Sequence, residues 1–228
     1  MSKPLISFCL PTFDRIEWVG ECIQSLMDQT EKNIEIIIVD DASTDGTKEF
    51  LEDWAVKDPR VKVIINEKNI GAGNSRNIAT SAAESDIVAI CDSDDVYPND
   101  RAESTLRWFS EHPESELVNF PYVRIGYLGE ILENFYGAPF DHEAYKKDGS
   151  ITHFCNPSVA FKKKSADEMG GYQAEKEGLT DDAQFVKNWV TAGKKIDFDN
   201  RIFGVCHRVL PHSIMSKQRG FKPEWATK

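Results

Sequence analysis

The chain has 228 residues, which is enough for one large domain with a substantial hydrophobic core. Its apolar content of 40% predicts a folded protein rather than a disordered one. The formal net charge of -11 argues against a nucleic-acid backbone as the main partner, because binding many phosphates requires a basic surface.

The first half of the chain alternates short apolar strands with amphipathic helices. The strands are continuously apolar, a pattern typical of a parallel sheet that is covered on both faces. We therefore predict a doubly wound α/β fold, with a mostly parallel central sheet and helices on both faces. Strands are predicted at 5–11, 34–40, 61–66 and 86–92, and helices at 17–29, 47–57, 76–84 and 101–112.

The second half is less regular. Residues 116–129 are strand-like, 137–150 have the composition of a loop, and 158–164 form a short strand followed by a short helix ending at Gly170-Gly171. A further amphipathic helix is predicted at 180–192.

Two features bear on where the protein works. The five cysteines are scattered without a C-x-x-C pair, which predicts reduced and mostly buried thiols. No segment approaches the roughly 20 apolar residues of a membrane-spanning helix, and the apolar run near the N-terminus is short and lacks a signal-peptide cleavage site. We expect a cytoplasmic protein with at most peripheral contact at the inner face of the cell membrane.

The segment from Asp41 to Glu52 has the spacing D-x-S-x-D-G-x5-E of a calcium-binding EF-hand loop. An EF-hand requires a helix before this loop, whereas the preceding residues, 34–40, have a strand pattern. We therefore interpret Asp45-Gly46 as a turn into the next helix, with Ser43 or Asp45 as its cap.

Polar residues follow three of the predicted strands at the point where each strand ends: Pro11-Thr12, Asp40-Asp41 and Asp92-Ser93-Asp94-Asp95. The carboxyl ends of neighbouring parallel strands form the ligand crevice of open α/β sheets. These residues should therefore meet along one edge of the sheet.

The motifs PTFDR (11–15), VDDASTDGT (39–47), NIGAGNSRNIA (69–79) and CDSDD (91–95), in this order, resemble the inverting family 2 glycosyltransferases with the GT-A fold. Segment 161–189 is similar to the acceptor side of that family. The resemblance implies a single GT-A domain (1–228), with a nucleotide-sugar-binding half (1–100) and an acceptor-binding half (101–228). It also implies a metal-dependent transfer of sugar, from a UDP-sugar, to a hydroxyl of a glycan or lipid-linked glycan.

The resemblance assigns roles to individual residues of the donor side. Asp41 would read the uracil base, next to Pro11 and Thr12, while Gly71 and Arg76 would lie near the base or the diphosphate. In the DxD element, Asp94 would bind the metal directly, Asp92 would face the ribose or a metal-bound water, and Ser93 lies between them. Carboxylate oxygens suit Mn²⁺ or Mg²⁺.

On the acceptor side, the resemblance makes Asp182 the catalytic base, although the family usually has Glu at the position of Asp181. His207 or His212 would supply a further metal ligand, and we favour His207. The basic tail, 208–228, is predicted to be either a solvated segment, a lid over the diphosphate or a contact with an anionic lipid-linked acceptor.

Two alternatives remain open. A nucleotidyltransferase on a similar fold would require a glycine-rich basic loop after the first strand, and PTFDRIEW (11–18) is not such a loop. A non-catalytic nucleotide-sugar-binding module would bind UDP with metal but release none from a UDP-sugar.

Overall fold

The structure is a computed structural model that describes residues 3–149, 151, 154–173 and 180–210. The strands are β1 Ile6–Thr12, β2 Ile34–Asp40, β3 Val61–Ile65, β4 Ile87–Ile90, β5 Leu117–Asn119, β6 Tyr122–Ile125, β7 Ile131–Tyr136, β8 Ala160–Lys162, β9 Asp197–Phe198 and β10 Val205–Arg208. The α-helices are α1 Val19–Met27, α2 Thr47–Lys57, α3 Ala72–Ala82, α4 Arg101–Glu111, α5 His142–Asp148, α6 Lys163–Glu168 and α7 Asp181–Thr191.

The central sheet has seven strands in the order β3-β2-β1-β4-β8-β5-β9. β1 pairs in parallel with β2 and β4, and β2 pairs in parallel with β3. β8 runs antiparallel to both of its neighbours, β4 and β5. The carboxyl ends of β1, β2 and β4 therefore lie at the same edge, together with the residues that lead into β8.

Alternate residues of β1 and β2 face opposite sides of this sheet, because successive side chains of a strand point in opposite directions. Phe8 and Ile36 belong to a core cluster with α1, α2 and α4. Cys9 and Ile37 belong to a second cluster with α3, α6 and α7. The predicted α/β sheet, mostly parallel and with helices on both faces, is confirmed.

A small second sheet has the strand order β10-β6-β7. β10 runs parallel to β6, and Cys206 in β10 also forms a β-bridge with Val96. That bridge brings His207 against the acidic segment that follows β4. The sequence did not predict β7, β9 or β10, which are short or lack a clear periodic pattern.

Three local predictions were wrong. Residues 137–150 are not all loop, because α5 forms there with Asp141 as its cap, its Oδ1 accepting from Glu143 N (3.1 Å) and Ala144 N (2.9 Å). The strand-like segment 116–129 is divided into β5 and β6 by Phe120 and Pro121. α3 begins at Ala72, inside the stretch predicted as a turn.

All five cysteines are free thiols, and four of them are buried. Burial raises the pKa of the Cys9 thiol to about 12, so it stays protonated at neutral pH. In the part of the chain that the structure describes, no helix is long and apolar enough to cross a membrane.

Candidate active site

The ends of β1 and β2 form the first part of the site. Thr12 pairs with Asp40 in the parallel register, and Pro11 and Thr12 are both buried. Within the described residues, Thr12 Oγ1 and Asp40 Oδ1 are buried without a hydrogen-bond partner. Buried polar atoms are nearly always bonded to protein, water or a ligand. These two atoms therefore suit an edge that binds a polar ligand.

Asp41, which follows β2, holds the glycine-rich turn in place. Its Oδ1 accepts hydrogen bonds from Asn66 Nδ2 (2.8 Å) and Ile70 N (2.9 Å), and its Oδ2 accepts one from Gly71 N (2.8 Å). Gly71 has φ +89°, a conformation that glycine adopts without strain. The structure thus places both predicted residues together at the edge, with Asp41 bonded to the turn.

The turn into α2 is also held by an acid. Gly46, with φ +95°, is the N-cap residue, and Asp45 Oδ1 accepts from Thr47 N (3.0 Å). Asp45 Oδ2 accepts from Ile16 N (3.1 Å). The Asp45 carboxylate therefore binds backbone N–H groups at the turn into α2, which agrees with the interpretation of Asp45-Gly46 as a turn. Neither Ser43 nor Asp45 is the N-cap residue, because Gly46 occupies that position.

Arg76 connects two acidic segments that are far apart in the sequence. Its NH1 donates to Asp181 Oδ2 (2.6 Å) and its NH2 donates to Asp92 Oδ1 (2.8 Å). The guanidinium lies over the ring of Tyr172, 5.4 Å from its centroid, and the residue is only 7% exposed. Burial lowers the pKa of Arg76, but Asp92 and Asp181 raise it above its ordinary value, so the guanidinium stays positively charged. We call these three charged residues the Arg76 clamp.

Gly73 makes this clamp possible. A Cβ on Gly73 would lie 2.9 Å from both Cβ and Oδ2 of Asp181. Such a distance is shorter than any normal carbon contact, so α3 and α7 approach closely only because residue 73 has no side chain. The sequence showed Gly73 as part of a turn and gave no sign of this contact.

The DxD element lies next to the clamp. Asp94 is close to Arg15, whose Nε is 3.4 Å from Asp94 Oδ2. Burial and the neighbouring Asp92 raise the pKa of Asp94, which reflects the concentration of negative charge. Ser93 is buried between the two acids.

Asp95 supports His207 from β10. Asp95 is fully buried, its Oδ2 lies 3.2 Å from His207 Nδ1, and its Oδ1 accepts from Arg208 N (2.7 Å). Burial raises the pKa of Asp95 to about 6. Burial lowers the pKa of His207, but Asp95 raises it more, to about 9. Because Nδ1 faces Asp95, Nε2 is the ring nitrogen that points away from it, an arrangement common among metal-binding histidines.

Arg208 fixes the DxD segment to the second sheet. Its Nε donates to Asp94 O (2.8 Å), its NH1 donates to Gly126 O (3.1 Å) and its NH2 donates to Glu21 Oε2 (2.6 Å). The sequence placed Arg208 in a basic tail, whereas the structure buries it. Residues 211–228 of that tail, with His212, lie outside the described residues.

Asp182 stands at the start of α7, with Thr180 as the N-cap residue. Its Oδ1 accepts from Ala183 N (2.8 Å) and from the Thr180 hydroxyl. No described group donates to its Oδ2. The clamp thus connects the Asp181-Asp182 pair with the DxD element, and one oxygen of Asp182 accepts no hydrogen bond from the described residues.

Among the described residues, no three His, Cys, Asp or Glu side chains form a preassembled metal cluster. The donor set nevertheless fits a divalent cation. Asp92, Asp94 and Asp95 concentrate carboxylate oxygens within four positions, and burial together with this mutual proximity raises the pKa values of Asp94 and Asp95. Hard oxygen ligands with excess negative charge favour Mg²⁺ or Mn²⁺.

Comparison with known proteins identifies the family. The chain is 38% identical over 138 residues to TuaG of Bacillus subtilis (strain 168), a glycosyltransferase named for teichuronic acid biosynthesis, covering 60% of this chain and 54% of that protein. It is 35% identical over 118 residues to glycosyltransferase GlyG of Streptococcus pneumoniae serotype 4, covering 52% of this chain and 39% of that protein. The chain thus spans about half, or less, of the length of these relatives.

Solved structures confirm the predicted GT-A fold. S. aureus TarS 1–349 in complex with UDP-GlcNAc matches with a TM-score of 0.71 and 21% identity, over 92% of this chain and 60% of that chain. The mannosyltransferase PcManGT from Pyrobaculum calidifontis, in complex with GDP-Man and Mn²⁺, matches with a TM-score of 0.65 and 18% identity, over 88% of this chain and 56% of that chain. At these identities the two matches show the fold alone.

The model of the family described as Glycosyl transferase family 2 matches residues 7–170, which is more than half of the chain. The chain belongs to glycosyl transferase family 2.

Proposed function

We propose that this chain catalyses the metal-dependent transfer of a sugar from a UDP-sugar, with inversion, to a hydroxyl of a glycan or lipid-linked glycan. The observation that carries the proposal is the Arg76 clamp. It holds an acid of the DxD element and the acid beside Asp182 on one guanidinium, with contacts of 2.8 and 2.6 Å. A donor site and a candidate base are thereby fixed relative to each other, as glycosyl transfer requires.

On the donor side, the base and ribose would bind along the ends of β1 and β2. The Thr12 hydroxyl, which has no partner among the described residues, and the Asp41 carboxylate would contact them beside Pro11 and Gly71. Support for a nucleotide-sugar comes from structural neighbours that were solved with UDP and with UDP-GlcNAc. In this proposal Arg76 contributes to diphosphate binding by holding Asp92, to which its NH2 donates at 2.8 Å.

A divalent cation would be held by Asp94, with Asp92 and His207 as additional ligands. When bound, such a cation supplies positive charge that stabilises the departing diphosphate. Mn²⁺ in the PcManGT structure supports a metal in this role. Asp95 would orient His207 through Nδ1 and so present Nε2 to the cation.

Asp182 would be the general base. Its Oδ2, which accepts no hydrogen bond from the described protein, would take the proton from the acceptor hydroxyl. Thr180 and the backbone N–H of Ala183 hold the other oxygen, so the carboxylate is oriented before the acceptor arrives.

The experiment measures UDP release from a panel of UDP-sugars with Mn²⁺, with and without glycan acceptors. Asp182→Asn should reduce turnover at least ~100-fold, the range expected for a lost general base, while UDP affinity stays within about twofold. Asp100→Asn is the matched control, because Asp100 stands at the start of α4 without a side-chain cap bond. Wild-type turnover in Asp182→Asn would contradict the assignment.

A second variant tests the metal. Asp94→Ala should abolish the gain in UDP affinity that Mn²⁺ produces, because it removes the proposed direct ligand. Isothermal calorimetry of UDP binding with and without Mn²⁺ measures that gain. An unchanged gain in Asp94→Ala would refute the assignment. A wild-type protein that binds UDP with Mn²⁺ but releases none from any UDP-sugar would favour the non-catalytic module.

A further inference from the structure

Asn156 has an unusual buried amide. It lies in a short 3-10 turn, Asn156–Ser158, immediately before β8, and it is only 7% exposed. Its Oδ1 accepts a hydrogen bond from Tyr172 OH (2.8 Å). Its Nδ2 is buried and has no hydrogen-bond partner in the part of the chain that the structure describes. Because a buried N–H donor without an acceptor is unfavourable, such a group is commonly completed by water or by a ligand.

Asn156 lies at the same edge of the sheet as the DxD element. β8 is antiparallel to β4, with Ala89 opposite Ala160, and Ile90 N donates to Val159 O (3.0 Å). The residues that precede β8 are therefore next to the carboxyl end of β4. Asp92 follows that same end of β4.

A chain of contacts connects Asn156 with both acidic segments. Tyr172, which bonds Asn156, lies under the Arg76 guanidinium, and that guanidinium holds Asp92 and Asp181. The Tyr172 ring is stacked on Phe185, with centroids 4.4 Å apart, and is buried. The tyrosine is thus held by packing and by Arg76, and its hydroxyl orients the Asn156 amide through one hydrogen bond.

The strand order decides which part of a ligand this amide would meet. β2 and β1 carry Asp41 and Thr12, β4 carries the DxD element, and β8 lies on the far side of β4. Since neighbouring strands are about 4.8 Å apart, Asn156 lies roughly 10–15 Å from the ends of β1 and β2 along the sheet. A nucleotide bound at β1 and β2, with its diphosphate at β4, would place the attached sugar in front of β8.

On the basis of the proposed function, we infer that Asn156 recognises the sugar of the donor, its Nδ2 donating to a hydroxyl or N-acetyl oxygen of the hexose. Tyr172 is then a positioning residue that holds this amide. Asn156 would contribute to the choice of donor sugar and make no contact with the nucleotide.

The test compares the affinities of UDP and of the UDP-sugar turned over best, measured by calorimetry with Mn²⁺, in wild-type and Asn156→Ala proteins. Asn188→Ala is a matched control. Asn188 likewise accepts one side-chain hydrogen bond at Oδ1, from Gln184 Nε2 (2.9 Å). Its Nδ2 is also buried and has no partner among the described residues, but Asn188 lies farther along α7. Asn156→Ser, a smaller change that keeps a polar group, replaces Asn156→Ala if the alanine variant does not fold.

We expect Asn156→Ala to weaken UDP-sugar binding about tenfold, with UDP affinity unchanged and with Asn188→Ala like wild type. Equal UDP-sugar affinity in wild type and variant would overturn the inference. A parallel loss of UDP and UDP-sugar affinity would also overturn it, because the effect would then be on the nucleotide or the fold. If the wild-type protein binds no UDP-sugar, the proposed function falls and this inference falls with it, whereas the first two outcomes leave the proposed function intact.

Discussion

Replacing Arg76 by lysine keeps the positive charge of the clamp but removes its geometry. The guanidinium binds two carboxylates through separate nitrogens, at 2.6 and 2.8 Å, and is almost completely buried. A lysine ammonium is a single point donor and cannot bridge Asp92 and Asp181 in the same way. We therefore expect the variant to lose one of the two charge-assisted hydrogen bonds.

The size of the loss follows from these contacts. A hydrogen bond to a charged group contributes about 1.5–3 kcal/mol, so losing one should reduce the free energy of unfolding by about 2 kcal/mol. For a chain of this size, 1 kcal/mol lowers the unfolding midpoint by roughly 2–4 °C, which gives a decrease of roughly 4–8 °C. UDP release should fall as well, because Asp92 and the Asp181-Asp182 pair would no longer be held together.

Arg201→Lys is the matched control for this experiment. Arg201 also bridges two acids, Asp199 (2.9 Å) and Glu111 (2.6 Å), but its side chain is 43% exposed. The pair with Glu111 is exposed on both sides and contributes about 0–1 kcal/mol. Asp199 is buried, but water can reach the half-exposed Arg201 side chain, so the midpoint should fall less than in Arg76→Lys. Thermal unfolding followed by circular dichroism measures both variants. The reasoning fails if Arg76→Lys melts at the wild-type temperature, or if the two lysine variants lose the same amount.

The remaining predictions concern packing and pH. Gly73→Ala adds a methyl group 2.9 Å from Asp181, so it should lower the free energy of unfolding by about 1–3 kcal/mol. When Gly73→Ala is made in an Arg76→Ala variant, it should lower the urea midpoint by less, because the contact between Arg76 and Asp181 is already lost. Equal decreases in the wild-type and Arg76→Ala proteins would contradict the mechanism. Glu35 is buried in β2 and accepts from Lys62 Nζ (2.7 Å). Burial raises the pKa of Glu35, but the hydrogen bond from Lys62 and others lower it below its ordinary value of 4.5. Its contribution to stability is therefore present above about pH 4.5 and is lost as the pH falls through the pKa of the folded state. Urea midpoints from pH ~3 to ~6 should decline less steeply in Glu35→Gln than in wild type, and parallel curves would refute the role of Glu35.

The site combines residues that a short stretch of sequence indicates with contacts between residues that are far apart in the chain. The sequence predicted that the DxD acids and Asp41 lie at one edge of the sheet, because they directly follow apolar strands and strand ends have a recognisable pattern. The sequence did not predict the ion pairs of Arg76, because Asp181 lies 105 positions away and nothing in either segment indicates the other. Asn156 and Tyr172 were missed for the same reason, since an unpaired buried amide is visible only when its surroundings are known.

The sequence by itself determined the elements whose signal is local. β2 at Ile34–Asp40 and α2 at Thr47–Lys57 were predicted with their observed bounds, because a β-branched run and a helical period are properties of consecutive residues. Only the tertiary structure decided which of the charged residues act together. β10 is four residues long, and its pairing with β6 sets His207 against Asp95, 112 positions earlier. A contact of that kind depends on the packing of two sheets, and no short stretch of sequence specifies it.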